Sequence, residues 1–247
     1  MGADVSKAVK QLLEARRSGV QVKPPFAIPD RATVYAIQDG VAEATGPVAG
    51  WKVGARTPTA DPNPAPLLAG ALVPSPATFD GKAMHMIGVE IEISFHIARD
   101  IAARGTPVDR EEALAAVGDA FVGMEVVDTR LADFKSADPE WLLADNQMNH
   151  ALVIGDSIKD WQKLDWPKLQ VKLVIDGKVE VEQTGGLGAV DPVRPLAWMI
   201  DHAVRQRGGI RAGQAITTGS WTGLRYYPAG TRARGAFAGL GTVEASF

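Results

Sequence analysis

The chain contains no cysteine. Disulfides, zinc–thiolate sites and thiol nucleophiles are therefore excluded, and the composition suits a reducing cytoplasm. A basic excess is missing too. The 26 lysines and arginines stand against 29 aspartates and glutamates, for a formal net charge of −3, and no basic run exceeds Arg16-Arg17. Proteins that grip a phosphate backbone carry a basic stripe, so nucleic acid is not an expected partner. Nor is a membrane. The opening residues 1–7 lack the apolar centre of a signal peptide. The long uncharged stretch at 62–79 holds Pro62, Pro64, Pro66, Pro74 and Pro76, which no regular helix tolerates. That stretch is expected to be an ordered loop or lid. With 247 residues, the chain suits one large domain, or a domain with a small appendage.

What is present reads as two helices followed by a β-rich body. Asp4 is a good N-cap for a helix ending at Arg17, with Ser18-Gly19 as its stop and Val5, Ala8, Val9, Leu12 and Leu13 as its stripe. A second helix follows Asp30, with Ala32, Tyr35, Ala36 and Val41 on one face. A short strand covers Trp51 to Ala55. From Val89 the pattern has period two: Val89, Ile91, Ile93, Phe95 and Ile97 alternate with Glu90, Glu92, Ser94 and His96, the mark of a strand with one apolar and one polar face. Thr106-Pro107 opens a helix to about Gly118, with Asp109 in a capping box. Phe121 to Val127 is a strand, and Asp176-Gly177 turns a hairpin within 169–181. A helix spans Pro192 to Arg207, and strands near Ala215 and Gly241 close the chain. No regular βαβ spacing appears, so the fold class is α+β, a mainly β core with a helical N-terminal part. Residues 1–80 form the helical segment and proline-rich loop, and residues 81–247 the β-rich catalytic core.

Glu90 and Glu92 carry the chemical argument. Two residues apart on a strand, they share a face. Parallel carboxylates repel, so holding them together invites a cation or a shared proton. An oxygen-only set favours Mg²⁺, Mn²⁺ or Ca²⁺. The same alternation also marks a half-exposed strand that turns glutamates to water. Glu125 has apolar flanks, and a buried carboxylate needs a partner; Asp128 and Arg130 are close enough in sequence to pair with each other. Lys52 lies between Trp51 and Val53. Either desolvation lowers its pKa, or its stem covers apolar surface while the ammonium reaches water. His96 shares the glutamate face but fits an ordinary hydrogen-bonded histidine. Gly219-Ser220 lacks the spacing of a nucleophile elbow. Gly185-Gly186-Leu187-Gly188 and Gly239-Leu240-Gly241 lack the strand–turn–helix context of a dinucleotide site.

Taken in order, Gly88-Val89-Glu90-Ile91-Glu92-Ile93-Ser94-Phe95, Met124-Glu125-Val126-Val127-Asp128-Thr129-Arg130, Ala144-Asp145-Asn146, Thr218-Gly219-Ser220 and the closing Phe237-Ala238-Gly239-Leu240-Gly241 resemble the 2-keto-4-pentenoate hydratase and 4-oxalocrotonate decarboxylase branch of the fumarylacetoacetate hydrolase superfamily. The resemblance runs from about Asp30 to Phe247. It implies a fumarylacetoacetate-hydrolase-like fold, often homo-oligomeric, with Mg²⁺ or Mn²⁺ at Glu90, Glu92 and Glu125 and with Lys52 as the active-site lysine. It also implies that Ser220, Gly219, Asp145 and Asn146 hold a small 2-oxo or enol carboxylic acid. The implied activity is a lyase, a hydratase of 2-hydroxypenta-2,4-dienoate-type substrates in aromatic catabolism. The alternatives are a decarboxylase of a 2-oxo-3-enedioate, an acylpyruvate-type carbon–carbon hydrolase, or a non-catalytic partner of an active paralogue. A diacid decarboxylase needs a further cation at the far end of its pocket, for which Arg130 and Arg225 are candidates. The chain departs from the family pattern in three places. Residues 62–79 hold no acid where many members place one, Ile87-Gly88 precedes the first glutamate where hydratases carry a proline, and Trp221 is bulky where small residues are common.

Overall fold

The computed structural model describes residues 2–247. Two helices open the chain, α1 (Ala3–Ser18) and α2 (Arg31–Thr45). Short strands β1 (Gly50–Gly54), β2 (Asn63–Leu67), β3 (Leu72–Pro74) and β4 (Ala77–Thr78) come next. The long strand β5 (Ile87–Ile97), β6 (Ile101–Ala102), α3 (Arg110–Ala115), β7 (Val117–Val127), α4 (Pro139–Ala144) and β8 (Asn149–Ile158) form the middle of the chain. The hairpin β9 (Gln170–Ile175) and β10 (Lys178–Thr184) precedes α5 (Val193–Gln206). The last strands are β11 (Gly209–Ile210), β12 (Ala215–Ser220), β13 (Arg225–Tyr227), β14 (Arg232–Phe237) and β15 (Gly241–Ser246).

The eight-stranded sheet runs β2-β1-β12-β5-β7-β8-β3, with β13 added to one end of β5. A five-stranded sheet, β10-β9-β14-β15-β4, lies against it, and β6 and β11 form a small pair. The apolar residues of β5, Val89, Ile91, Ile93 and Phe95, pack between the two sheets with Met124, Val171, Leu173, Phe237 and Val243. Contact there is close: a Cβ at Gly235 would sit 2.4 Å from the Ile91 side chain. A second cluster, with Leu12, Val34, Ile37, Val41, Leu131 and Trp141, joins α1, α2 and α4. This is the expected α+β architecture with a mainly β core.

Several local expectations change. Gly2, not Asp4, occupies the N-cap of α1, two residues earlier than expected, so Asp4 lies in the first turn, where its charge favours the helix dipole. The buried face of α2 is Val34, Ile37, Gln38 and Val41 rather than Ala32, Tyr35 and Ala36. Gln38 is fully buried because its amide donates to the carbonyls of Pro64 and Leu143. The helix expected from Thr106 to Gly118 shortens to Arg110–Ala115, and Asp109 caps it by accepting from Glu112 N–H. Residues 62–79 are not a loop or lid but contribute β2, β3 and β4. Prolines are tolerated in β2 because it is an edge strand, where a missing N–H interrupts no ladder. The polar face of β5 is largely closed to water: Glu92 and Ser94 are buried, and Glu90 and His96 are half-buried.

Candidate metal centre

Strand register assembles the site. In the ladder between β5 and β7, Glu90 stands opposite Glu125. Across β5 and β12, Ser220 stands opposite Glu92 and Thr217 opposite Ser94. Parallel pairing of β1 with β12 sets Lys52 against Thr217. Four neighbouring strands thus aim their polar side chains into one cavity of about 540 Å³. Ligand atoms of Glu90, Glu92 and Glu125 all lie within 4.8 Å of one another. Gly123, opposite Glu92, leaves room for Ser94: a Cβ there would sit 2.5 Å from Ser94 Oγ.

Each buried carboxylate has one oxygen saturated and one left over. Glu125 Oε1 accepts from Lys52 Nζ and from Asn149 Nδ2, the latter at 2.9 Å. Glu92 Oε2 accepts from Thr217 Oγ1 and from Gly219 N–H, the latter at 2.9 Å. Thr217 Oγ1 is itself fixed by Ser94 Oγ at 2.8 Å. A carboxylate oxygen offers about two lone-pair sites, so the paired oxygens are filled and Glu125 Oε2 and Glu92 Oε1 remain available. Gly219 reaches its position with φ of +106°, which favours glycine.

Electrostatics follow from crowding. Burial, then the neighbouring Glu125, lifts the Glu90 carboxyl to about 7. Burial, then Glu125 and Glu90, lifts Glu92 to about 8. Of the two readings open for Lys52, an ammonium that reaches water does not hold, since the side chain is buried, and a lowered pKa does not hold either. Burial does pull it down, but Glu125, Glu90 and Glu92 outweigh that, and its pKa stands above the ordinary lysine value. The ammonium also donates to the Gln147 carbonyl at 3.2 Å.

The other expected site residues divide. Ser220 and Gly219 line the cavity, and the buried Ser220 hydroxyl lies beside the Glu90 carboxyl, whose charged form it favours. Asp145 and Asn146 are not brought to it. Asp145 is fully buried and accepts from Arg130 Nε at 2.7 Å, Arg130 N–H at 3.0 Å and Arg16 at 3.3 Å. Asn146 Nδ2 donates to the Pro66 carbonyl. The cause is a left-handed turn: Asn146, Gln147 and Met148 have φ of 53°, 51° and 60°, at a cost of about 1 kcal/mol or more each. It points Asp145 and Asn146 away while Gln147 and Met148 line the cavity. Arg130 therefore pairs with Asp145 and not with Asp128, whose Oδ1 accepts backbone N–H groups of His85, Met86 and Thr129. A second cavity of about 600 Å³ opens beside Arg16, Asp128 and Arg130, but both arginines are already committed to Asp145. His96 bonds to Asp119 at 3.1 Å, and Trp221 packs on Phe237 in the core, 5.3 Å between ring centroids. Arg225 pairs with Glu180.

No protein-family model matches the chain. It is 29% identical over 187 residues to a 2-keto-4-pentenoate hydratase of Burkholderia vietnamiensis, covering 72% of this chain and 69% of the relative. It is 29% identical over 160 residues to a 4-oxalocrotonate decarboxylase of a Pseudomonas species, covering 64% of this chain and 59% of that one. Among solved structures, the 4-oxalocrotonate decarboxylase from Pseudomonas putida G7, complexed with magnesium and adipate, superposes with a TM-score of 0.81 at 23% identity, over 98% of this chain and 97% of that one. The chain shares that decarboxylase's fold, which is fumarylacetoacetate-hydrolase-like. The resemblance to the hydratase and decarboxylase branch is borne out by the names of these relatives. Within that fold, Glu90, Glu92 and Glu125 form a cluster that fits a divalent cation. Every donor is oxygen, two oxygens are pre-oriented and unfilled, and burial and mutual repulsion raise the pKa of two of the carboxyls, a penalty that a cation would relieve. Hard cations such as Mg²⁺ and Mn²⁺ suit such a set. No helix is long and apolar enough to cross a membrane among the described residues.

Proposed function

We propose that the protein is a divalent-metal-dependent lyase acting on a small 2-oxo or enol carboxylic acid, with hydration of a 2-hydroxypenta-2,4-dienoate-type substrate as its reaction. The observation that carries this reading is the convergence of three carboxylates, Lys52 and the Ser220 hydroxyl on one cavity. Glu90, Glu92 and Glu125 would hold Mg²⁺ or Mn²⁺. When bound, the ion supplies a sink for negative charge developing on the substrate's 2-oxygen.

The chain's own groups do the rest. Ser220 Oγ and the Gly219 segment receive the substrate carboxylate. Lys52 Nζ, kept protonated by its acidic neighbours, is the proton donor and acceptor. In the first stage the enol O–H proton leaves and C5 gains one, giving the 2-oxo-3-enoate. In the second, water oxygen adds at C4 and its proton reaches C3, so that substrate plus water equals 4-hydroxy-2-oxopentanoate. The test is loss of the dienol's ultraviolet absorbance on mixing with protein and Mg²⁺ or Mn²⁺, with 2-oxohex-3-enedioate run in parallel. Turnover abolished by chelator and restored by metal supports the reading. No metal-dependent turnover of either acid would instead favour a non-catalytic partner subunit.

A further inference from the structure

Lys52 holds its ammonium in a fixed pose, and a backbone atom completes that pose. An ammonium has three hydrogens to donate. One goes to Glu125 Oε1 and one to the Gln147 carbonyl, the latter at 3.2 Å. Lys52 is 8% exposed and makes no other side-chain hydrogen bond among the described residues. The third hydrogen is left for the cavity that Lys52 lines. At a tetrahedral nitrogen, two fixed acceptors set the direction of the third bond.

The Gln147 carbonyl meets Lys52 through a left-handed stretch of chain. Gln147 is the middle of its three residues, with φ of 51° and ψ of 36°, a conformation that residues other than glycine avoid. Such strain persists where the surroundings over-determine it, and here they do. Arg130 Nη2 and Met148 N–H both donate to the Asp145 carbonyl, at 2.9 Å and 2.8 Å. Asn146 Nδ2 donates to the Pro66 carbonyl at 2.9 Å, and Gln147 Nε2 to the Asn63 carbonyl at 3.0 Å. The Met148 carbonyl accepts from Asp128 N–H at 2.9 Å. Strain held this firmly beside reacting groups is a positioning device.

We propose that Gln147 is a positioning residue whose carbonyl aims one hydrogen of Lys52 at one face of the bound substrate, and that the Arg130–Asp145 pair serves to hold that carbonyl in place. This rests on the reading of Lys52 as the proton donor and acceptor. The consequence is stereochemical: the proton that reaches C3 arrives from one side.

The experiment compares Gln147→Gly with Gln147→Val. Both delete the side chain, but glycine accepts the left-handed backbone and β-branched valine resists it. Arg130→Lys is a third variant, which keeps the charge beside Asp145 but lacks the fork that spans its carboxylate and its carbonyl. In the metal-free protein, the Lys52 ammonium should give a slowly exchanging ¹H–¹⁵N cross-peak by NMR in the wild type and Gln147→Gly. That peak should vanish in Gln147→Val and Arg130→Lys. With Mg²⁺ in D₂O, the wild type and Gln147→Gly should place the first deuterium on C3 of 2-oxobutanoate at least about tenfold faster than the second. In the other two variants the rates should converge, since misplacing a reacting group by about 1 Å costs on the order of a hundredfold. Loss of the peak and the preference in Gln147→Gly overturns the proposal, as does survival of both in Gln147→Val and Arg130→Lys. If the wild type exchanges neither hydrogen yet the cross-peaks follow the expected pattern, the acid–base reading of Lys52 has failed and the positioning of its ammonium has not.

Discussion

Replacing Glu92 by Gln should make the metal-free protein more stable while making it worse at holding metal. Glu92 is 2% exposed, and burial beside Glu125 and Glu90 lifts its carboxyl from 4.5 to about 8. A carboxyl whose pKa rises on folding contributes stability that is complete below the unfolded value and is lost as pH climbs through the folded one. At about 1.36 kcal/mol per pH unit the ceiling is about 5 kcal/mol above pH 8. Because Glu90 shares the same repulsion, about 2 kcal/mol is the expected gain from removing one charge. Glutamine keeps an oxygen for Thr217 and Gly219, and its amide donates toward the remaining glutamates. In a chain of this size each kcal/mol moves the melting temperature by about 2–4 °C. After chelation, Glu92→Gln should therefore melt roughly 5 °C above wild type at pH 8, with the gap closing toward pH 5. Saturating Mg²⁺ should reverse the order, since ligand at 100 times Kd adds about 2.7 kcal/mol to the protein that binds it. Differential scanning calorimetry at pH 5 and pH 8, with and without Mg²⁺, reads all four conditions. A metal-free variant less stable than wild type at pH 8, or a gap that ignores pH, would refute the reasoning.

Lys52→Met should lower turnover by roughly two or more orders of magnitude. Without metal it should also melt lower, because Glu125 loses a buried partner, and Mg²⁺ should restore the melting temperature but not the rate. A fully active variant would end the catalytic assignment. Thr217→Val removes one of the donors that hold Glu92 Oε2. It should weaken Mg²⁺ affinity by about 10–100-fold by calorimetry, and unchanged affinity would count against the positioning role. Asp145→Asn leaves the Arg130 and Arg16 guanidinium groups without their carboxylate. Urea unfolding should show a loss of about 3–5 kcal/mol, and a loss under about 1 kcal/mol would mean the pair is not structural.

The sequence carries the site's centre because strand geometry is local. Period two puts Glu90 and Glu92 on one face, whatever surrounds them. It does not say whether that face meets water, since burial depends on β7 and β12 flanking it and on the segments at Gln147 and Leu187 that line the cavity. The ladder opposite Glu90 and the paired oxygens on Glu92 and Glu125 come from residues 24 to 127 positions away along the chain. Thr217, Asn149 and Gln147 were missed for that reason. Gln147 had a further disguise: three successive left-handed residues without glycine leave no turn signature. That turn also explains why Asp145 and Asn146, contiguous with the cavity in sequence, turn instead to the buried arginines and to the Pro66 carbonyl. The proline-rich stretch misled differently. Proline forbids a helix and a central strand, but an edge strand accepts it, and only the assembled sheet shows that β2 is an edge.

The central claim is that Glu90, Glu92 and Glu125 hold a divalent ion that a 2-oxo acid joins. A crystal grown with Mn²⁺ and oxalate, measured at a wavelength where manganese scatters anomalously, tests it directly. The expected result is one anomalous peak among the three glutamates, with oxalate adjoining it and reaching Ser220. A map with no peak there, or oxalate bound away from the glutamates, would contradict it.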